Sequence, residues 1–255
     1  MATPPLEPRA HENPVFNLSD VLLIAVVAVV ALVLSGTVTV FFASALHLFR
    51  GNIKDLAGNV LVFLPAQVLA YIVTVGFMVL LIWQKYRTGF LAAVRWNALA
   101  GRWVYGAIAL GAALGLINDL LSGFLERWIP KSLPIDEYFR NPASAYALAA
   151  FGILIAPLVE ELFFRGFLYP ALARPLGSAL AVGLTGALFA LIHSEQLAHS
   201  WIPLLLLFAI GVILTLVRAK TKSVATCVIV HMTYNTTLFT LLYIGTGGFR
   251  HMERI

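Results

Sequence analysis

Residues 21–46 read VLLIAVVAVVALVLSGTVTVFFASAL, with no Asp, Glu, Lys or Arg among them. At ~1.5 Å rise per residue such a run covers the ~30 Å hydrocarbon core of a bilayer, for which ~20 apolar residues suffice. A barrel strand alternates and lasts only roughly 10 residues. In hydrocarbon the peptide groups have no water to bind, so the run must be a helix that satisfies its own backbone.

Outward from this run the pattern recurs. Further apolar runs cover 57–83, 103–124, 143–173, 178–194, 201–217 and 224–244. The chain is 60% hydrophobic and 11% charged. That is too little charge to clothe a water-facing surface, since soluble domains carry about 25%. The expected fold is all-α: a polytopic transmembrane helix bundle of about seven spans.

The connecting segments add detail. Residues 1–19 hold Pro4, Pro5, Pro8 and Pro14 and read as a flexible tail. No basic stretch precedes a short apolar core there, so a cleaved signal peptide is not expected. In 84–102, Lys85, Arg87, Arg95 and Arg102 alternate with Phe90, Leu91, Val94 and Trp96, the composition of an amphipathic helix lying on the membrane surface. Gly111 and Gly115 have the spacing that lets helix backbones approach closely. Arg174, Pro175 and Gly177 mark a turn between the fourth and fifth runs. One membrane domain is expected, with N-terminal spans and the surface segment in 20–142, a core in 143–245 and a tail in 246–255.

The formal charge of +5 does not call for nucleic acid. Basic residues between spans answer the positive-inside rule and anionic lipid. With the N-terminus inside, ten of the 17 Lys and Arg fall on inner segments, so a multi-pass protein of the cytoplasmic membrane is expected. Cys227 is the single cysteine and excludes an intramolecular disulfide. Oligomeric state cannot be read from these residues.

Charged groups inside a span cost about 2.5–3.5 kcal/mol each at the helix centre. Glu160, Glu161 and Arg165 nonetheless sit in the fourth run, His193 closes the fifth, and His231 and Asn235 lie in the seventh. Glu161 and Arg165 are i,i+4 and can pair on one helix face, as His231 and Asn235 also share a face. Glu160 points about 100° away from Glu161. If the fourth and fifth runs form a hairpin at the 174–177 turn, Glu160 and His193 each lie roughly 21–24 Å from it and meet at similar depth. A carboxylate facing an imidazole in a low-dielectric site can activate water.

The stretch Glu160-Glu161-Leu162-Phe163-Phe164-Arg165 resembles the EExxxR motif of the CPBP family of intramembrane proteases, which includes the type II CAAX prenyl endopeptidases. Phe189-Ala190-Leu191-Ile192-His193 resembles its FxxxH motif, and His231-Met232-Thr233-Tyr234-Asn235 its HxxxN motif. The three occur in the family's order, on three separate runs, within about 143–245. The resemblance implies an intramembrane endopeptidase. It implies Glu160 as general base and His193 as holder of the attacking water. His231 and Asn235 would stabilise the oxyanion, and Glu161 with Arg165 would form a supporting ion pair. The implied substrate is a membrane-associated peptide or protein, including a prenylated CAAX-type one.

Two histidines and a glutamate are also a zinc ligand set, so Zn²⁺ could be held by Glu160, His193 and His231. A metal-free Glu/His site that activates water is the preferred reading, and the soluble HExxH signature is absent. Two other functions use the same residues: a non-catalytic immunity or interaction protein, and an ion- or proton-coupled transporter. Glu195 and His199 read as loop residues, Arg218, Lys220 and Lys222 as a topology signal, and Asp119 has no assigned role. Expected depth and side disagree. The count of basic residues places the 174–177 turn in the cytoplasm and Glu160 nearer the outer face, whereas the CAAX-type resemblance implies a cytoplasmic opening.

Overall fold

The computed structural model describes residues 16–47, 59–139 and 141–251. It is all-helical among the described residues. The long helices are α1 (Leu18–Ala45), α2 (Val60–Tyr86), α4 (Gly101–Phe124), α5 (Pro142–Leu176), α7 (Trp201–Thr221) and α8 (Val224–Gly245). All six are long and apolar enough to cross a membrane. The helix α6 (Ser178–Leu191) is shorter. At ~1.5 Å per residue it measures roughly 21 Å, less than the ~30 Å of hydrocarbon. The bundle is thus six long helices and one short one, and the short one carries His193 at its end.

The surface helix expected over 84–102 is not what forms there. Between the end of α2 at Tyr86 and the start of α4 at Gly101, only one turn among the described residues, α3 (Phe90–Ala93), is helical. Arg87 and Arg95 adopt left-handed backbone conformations, which interrupt a helix on either side. Ala93 and Val94 are buried. The segment then straps the turn between α7 and α8. The Val224 amide donates to the Arg95 carbonyl, the Ser223 hydroxyl to the Asn97 carbonyl, and the Asn97 amide to the Lys222 carbonyl. Of the apolar residues that looked like a lipid-facing stripe, Phe90, Val94 and Trp96 pack on the core while Leu91 stays exposed.

The assigned tails also change. Residues 1–15 lie outside the described residues, but Phe16 is buried and stacks on Phe167 with ring centroids 4.4 Å apart. Asn17 caps α1. Its side chain accepts from the Asp20 amide, and the Asp20 carboxylate accepts from the Asn17 amide. Asp20 also takes hydrogen bonds from Lys85 and Tyr86, pinning the start of α1 to the end of α2. At the other terminus Thr246–His251 fold back, with Phe249 buried against Tyr146 and Tyr243, while 252–255 lie outside the described residues.

Helix α1 packs on α2, α4 on α8, and α6 on both α5 and α7. The Gly111–Gly115 spacing serves the second of these contacts. A Cβ at either glycine would lie within 3 Å of a Thr233 or Thr237 side-chain atom on α8. Gly186 and Gly211 bring α6 and α7 equally close, since a Cβ on Gly211 would sit 2.9 Å from the Gly186 Cα. In the hairpin between α5 and α6, Gly177 supplies the left-handed φ of 78° that the turn requires.

Candidate active site

Helix α5 is one continuous 35-residue helix with two wide, π-helical turns, at Phe151–Ile155 and Leu162–Leu168. Such turns arise where the i→i−4 ladder is interrupted, and they are frequent at functional sites. The first has an identifiable cause. The Ala156 amide reaches back five residues to the Phe151 carbonyl, and in that register the Gly152 carbonyl would be served by residue 157. Residue 157 is proline and has no N–H. The freed Gly152 carbonyl accepts instead from the Asn235 side-chain amide on α8, at 2.6 Å. A Cβ on Gly152 would meet the Phe239 ring at 3.0 Å, so only glycine lets α8 come this near.

Between the two wide turns α5 presents Glu160 and Glu161. Glu161 is fully buried. Its Oε1 accepts from Arg165 Nη1 at 2.7 Å and from His231 Nδ1 at 2.8 Å. Arg165, also fully buried, donates its Nη2 to the Gly211 carbonyl at 2.8 Å. Its guanidinium lies 4.7 Å over the Phe189 ring. The ion pair therefore ties α5 to α8 through His231 and to α7 through Gly211. Arg218, read above as part of a topology signal, is instead fully buried and donates its Nε to the Arg165 carbonyl at 3.1 Å.

The histidine tautomers follow from these partners. His193 Nδ1 lies 2.7 Å from the Phe189 carbonyl, which can only accept, so Nδ1 carries a proton. His231 Nδ1 faces the Glu161 carboxylate and is protonated for the same reason. In the neutral imidazoles each Nε2 is then a lone-pair acceptor. Both point at Glu160: His193 Nε2 is 4.0 Å from Oε1 and His231 Nε2 is 4.0 Å from Oε2. Three acceptors converge with no proton between them and too far apart to hydrogen-bond directly. A water donating to a carboxylate oxygen and to a facing nitrogen, ~2.8 Å from each, would subtend about 90° across such a 4.0 Å gap. The Glu160 and His193 side chains retain 15% and 19% exposure, so water can reach them.

The same donors meet the demands of a metal only in part. The ligand types and the engaged Nδ1 atoms suit zinc. The spacing does not. Bonds of ~2.0–2.2 Å in a tetrahedron place neighbouring donor atoms roughly 3.3–3.6 Å apart, less than the 4.0 Å separations here. Among the described residues no group of three or more His, Cys, Asp or Glu is arranged to hold a metal ion.

Other residues named from the sequence fall elsewhere. Among the described residues the Asn235 amide bonds the Gly152 carbonyl and not Glu160, His193 or His231. Glu195 and His199 pair with each other on the surface at 3.3 Å. Two contributors were not read from the sequence. Phe189, the first residue of the FxxxH stretch, packs against both imidazoles, with centroids 5.0 Å from His193 and 5.7 Å from His231. Tyr71, from α2, stacks on Phe151 at the first wide turn of α5, with ring centroids 5.7 Å apart. The available signal was a tyrosine in an otherwise apolar run.

Residues 142–237 match the family model described as Type II CAAX prenyl endopeptidase Rce1-like. Neither a curated protein nor a solved structure matches the chain.

Proposed function

We propose, from the premise that residues 142–237 belong to the Rce1-like type II CAAX prenyl endopeptidase family, that the chain is an intramembrane endopeptidase whose water is activated by Glu160. The carrying observation is the facing of both Glu160 oxygens by the Nε2 atoms of His193 and His231 at 4.0 Å. A water held between Glu160 and His193 loses a proton to the carboxylate as its oxygen bonds to the scissile carbonyl carbon. The carbonyl oxygen becomes an oxyanion. His231, its ring oriented by the bond from Nδ1 to the Glu161 carboxylate, faces that oxygen with Nε2, which donates to it when the ring carries both protons. The tetrahedral intermediate then collapses. The C–N bond breaks and Glu160 returns its proton to the leaving amine, so the carboxylate is regenerated.

Glu161, Arg165 and Asn235 position this apparatus. The ion pair holds His231 in orientation, and the Asn235–Gly152 bond seats α8 against α5 one turn away. No step is routed through a metal. The substrate class follows the family: a peptide bond close to a lipidated, C-terminal cysteine of a membrane-associated protein. The six long apolar helices support an integral membrane protein. We place the basic loop ends, including Lys85, Arg87, Lys220 and Lys222, at the cytoplasmic face.

The test compares wild type with Glu160→Gln. Purified protein is given a quenched peptide carrying a farnesylated cysteine followed by three residues, and membranes of producing cells are searched for uncleaved C-termini. Cleavage by wild type only, with accumulation of uncleaved ends in the variant, is expected. Equal behaviour of the two proteins in both assays would leave the immunity or interaction reading standing instead.

A further inference from the structure

Helix α5 widens twice, and Pro157 accounts for the first widening. The second has the same cause. The Tyr169 amide reaches back five residues to the Phe164 carbonyl, and in that register the Arg165 carbonyl would be served by residue 170. Residue 170 is proline and has no N–H. The Arg165 carbonyl accepts instead from Arg218 Nε on α7, at 3.1 Å. Each proline thus frees a carbonyl, and a polar side chain of another helix takes it: Asn235 at the first turn, Arg218 at the second. The two turns, Phe151–Ile155 and Leu162–Leu168, bracket Glu160 and Glu161.

Gly211 and Arg218 are seven residues apart, two turns along one face of α7. Both hold Arg165. The Gly211 carbonyl takes its Nη2 at 2.8 Å, and the fully buried Arg218 takes its main-chain carbonyl. Closing the wide turn to the i→i−4 pattern would shift the residues beyond it by about one position, roughly 100° around the axis, relative to Glu161. Arg165 lies inside that turn, and its partner Glu161 in turn bonds His231.

We propose that Arg218 is a positioning residue of the reaction site: by occupying the carbonyl that Pro170 frees, it holds the second wide turn open and keeps Arg165 on Glu161 and His231 opposite Glu160. The inference rests on the reading of that site as a peptidase. It assigns a role to an arginine outside the three motifs and makes Arg218 and Pro170 a functional pair. With alanine at 170 the N–H returns and can serve the Arg165 carbonyl itself, so the guanidinium becomes dispensable.

The test compares wild type, Arg218→Gln, Pro170→Ala and the double variant on the farnesylated peptide. Arg218→Gln should lower kcat about tenfold or more, the worth of a hydrogen bond from a charged group, while KM stays within about twofold. Adding Pro170→Ala should recover most of that loss. A merely structural arginine would not be relieved by an amide at residue 170. Should Arg218→Gln not accumulate, Arg218→Lys runs the same cycle, because it keeps the buried charge and loses the planar fork. The second measurement needs no turnover: in detergent, the Tm loss of the double variant should be smaller than the sum of the single losses. An unchanged kcat in Arg218→Gln, single effects on kcat that simply multiply in the double variant, or additive Tm losses would overturn the inference. If instead Glu160→Gln remains active while the Tm losses are non-additive, the pairing of Arg218 with Pro170 stands and the reading of Glu160 as base is what fails.

Discussion

Replacing Arg165 removes three things at once: the 2.7 Å ion pair to Glu161, the 2.8 Å bond to the Gly211 carbonyl and the guanidinium stacked over Phe189. Glu161 is then a fully buried carboxylate with His231 as its remaining partner. Stripping one member from a buried pair typically costs about 3–5 kcal/mol, most of it from the charge left behind. Arg165→Met fills a similar volume without charge and should fall in that range. Glu161→Gln leaves the guanidinium with Gly211 and should cost somewhat less, because an amide oxygen can still accept. The double variant leaves no orphaned charge. Its loss should be smaller than the sum of the singles by roughly 2–3 kcal/mol. Bilayer-embedded hydrogen bonds between neutral groups average only about 0.6 kcal/mol, so a coupling of this size would identify a charged pair. The assay is denaturant or thermal unfolding in one detergent, with all four proteins of the cycle measured together. Losses that add to within about 0.5 kcal/mol would show that the two side chains do not act as a unit, and would refute the reasoning.

A Cβ at residue 211 would stand 2.9 Å from the Gly186 Cα, so Gly211→Ala must push α6 from α7. It should lower stability by about 1–3 kcal/mol, and Gly211→Ala should also reduce turnover because the Arg165 acceptor moves with α7. Exhaustive dialysis against a strong chelator should leave peptide cleavage by the wild-type protein unchanged, as expected of a site spaced for water. Loss of cleavage restored by added Zn²⁺ would reverse that assignment.

The class of the fold was legible in residues 21–46 and the runs that follow, because hydrocarbon leaves the backbone one economical solution. Helix periodicity likewise placed Glu161 beside Arg165, now 2.7 Å apart, and the hairpin length brought Glu160 to the level of His193. The GxxxG spacing pointed to a close contact and α8 makes it. These are local quantities, set by rise and angle per residue within one helix or one hairpin.

What crosses between helices was not local. At ~1.5 Å rise the step from Lys222 puts His231 only roughly 13 Å along its helix, against roughly 21–24 Å for the other two residues. The 4.0 Å approach to Glu160 requires α8 to be offset from, or crossed against, the hairpin, and no composition reports that. The role of Pro157 emerges only when Asn235 is seen on the carbonyl it frees. Arg218 looked like a loop charge because it clusters with Lys220 and Lys222 between two apolar runs, and only the tertiary structure, in which it bonds the Arg165 carbonyl of α5, buries it. The 84–102 segment carries the composition of a surface helix, yet it folds as a strap because the α7–α8 turn offers it backbone partners. Tyr71 was one aromatic in an apolar run until α2 set it against Phe151 of α5. The sequence by itself determined which segments are helices and which residues are too polar to face lipid. The tertiary structure decided which of those polar groups meet, because crossing and offset depend on side-chain packing between distant segments and not on the periodicity of any one of them.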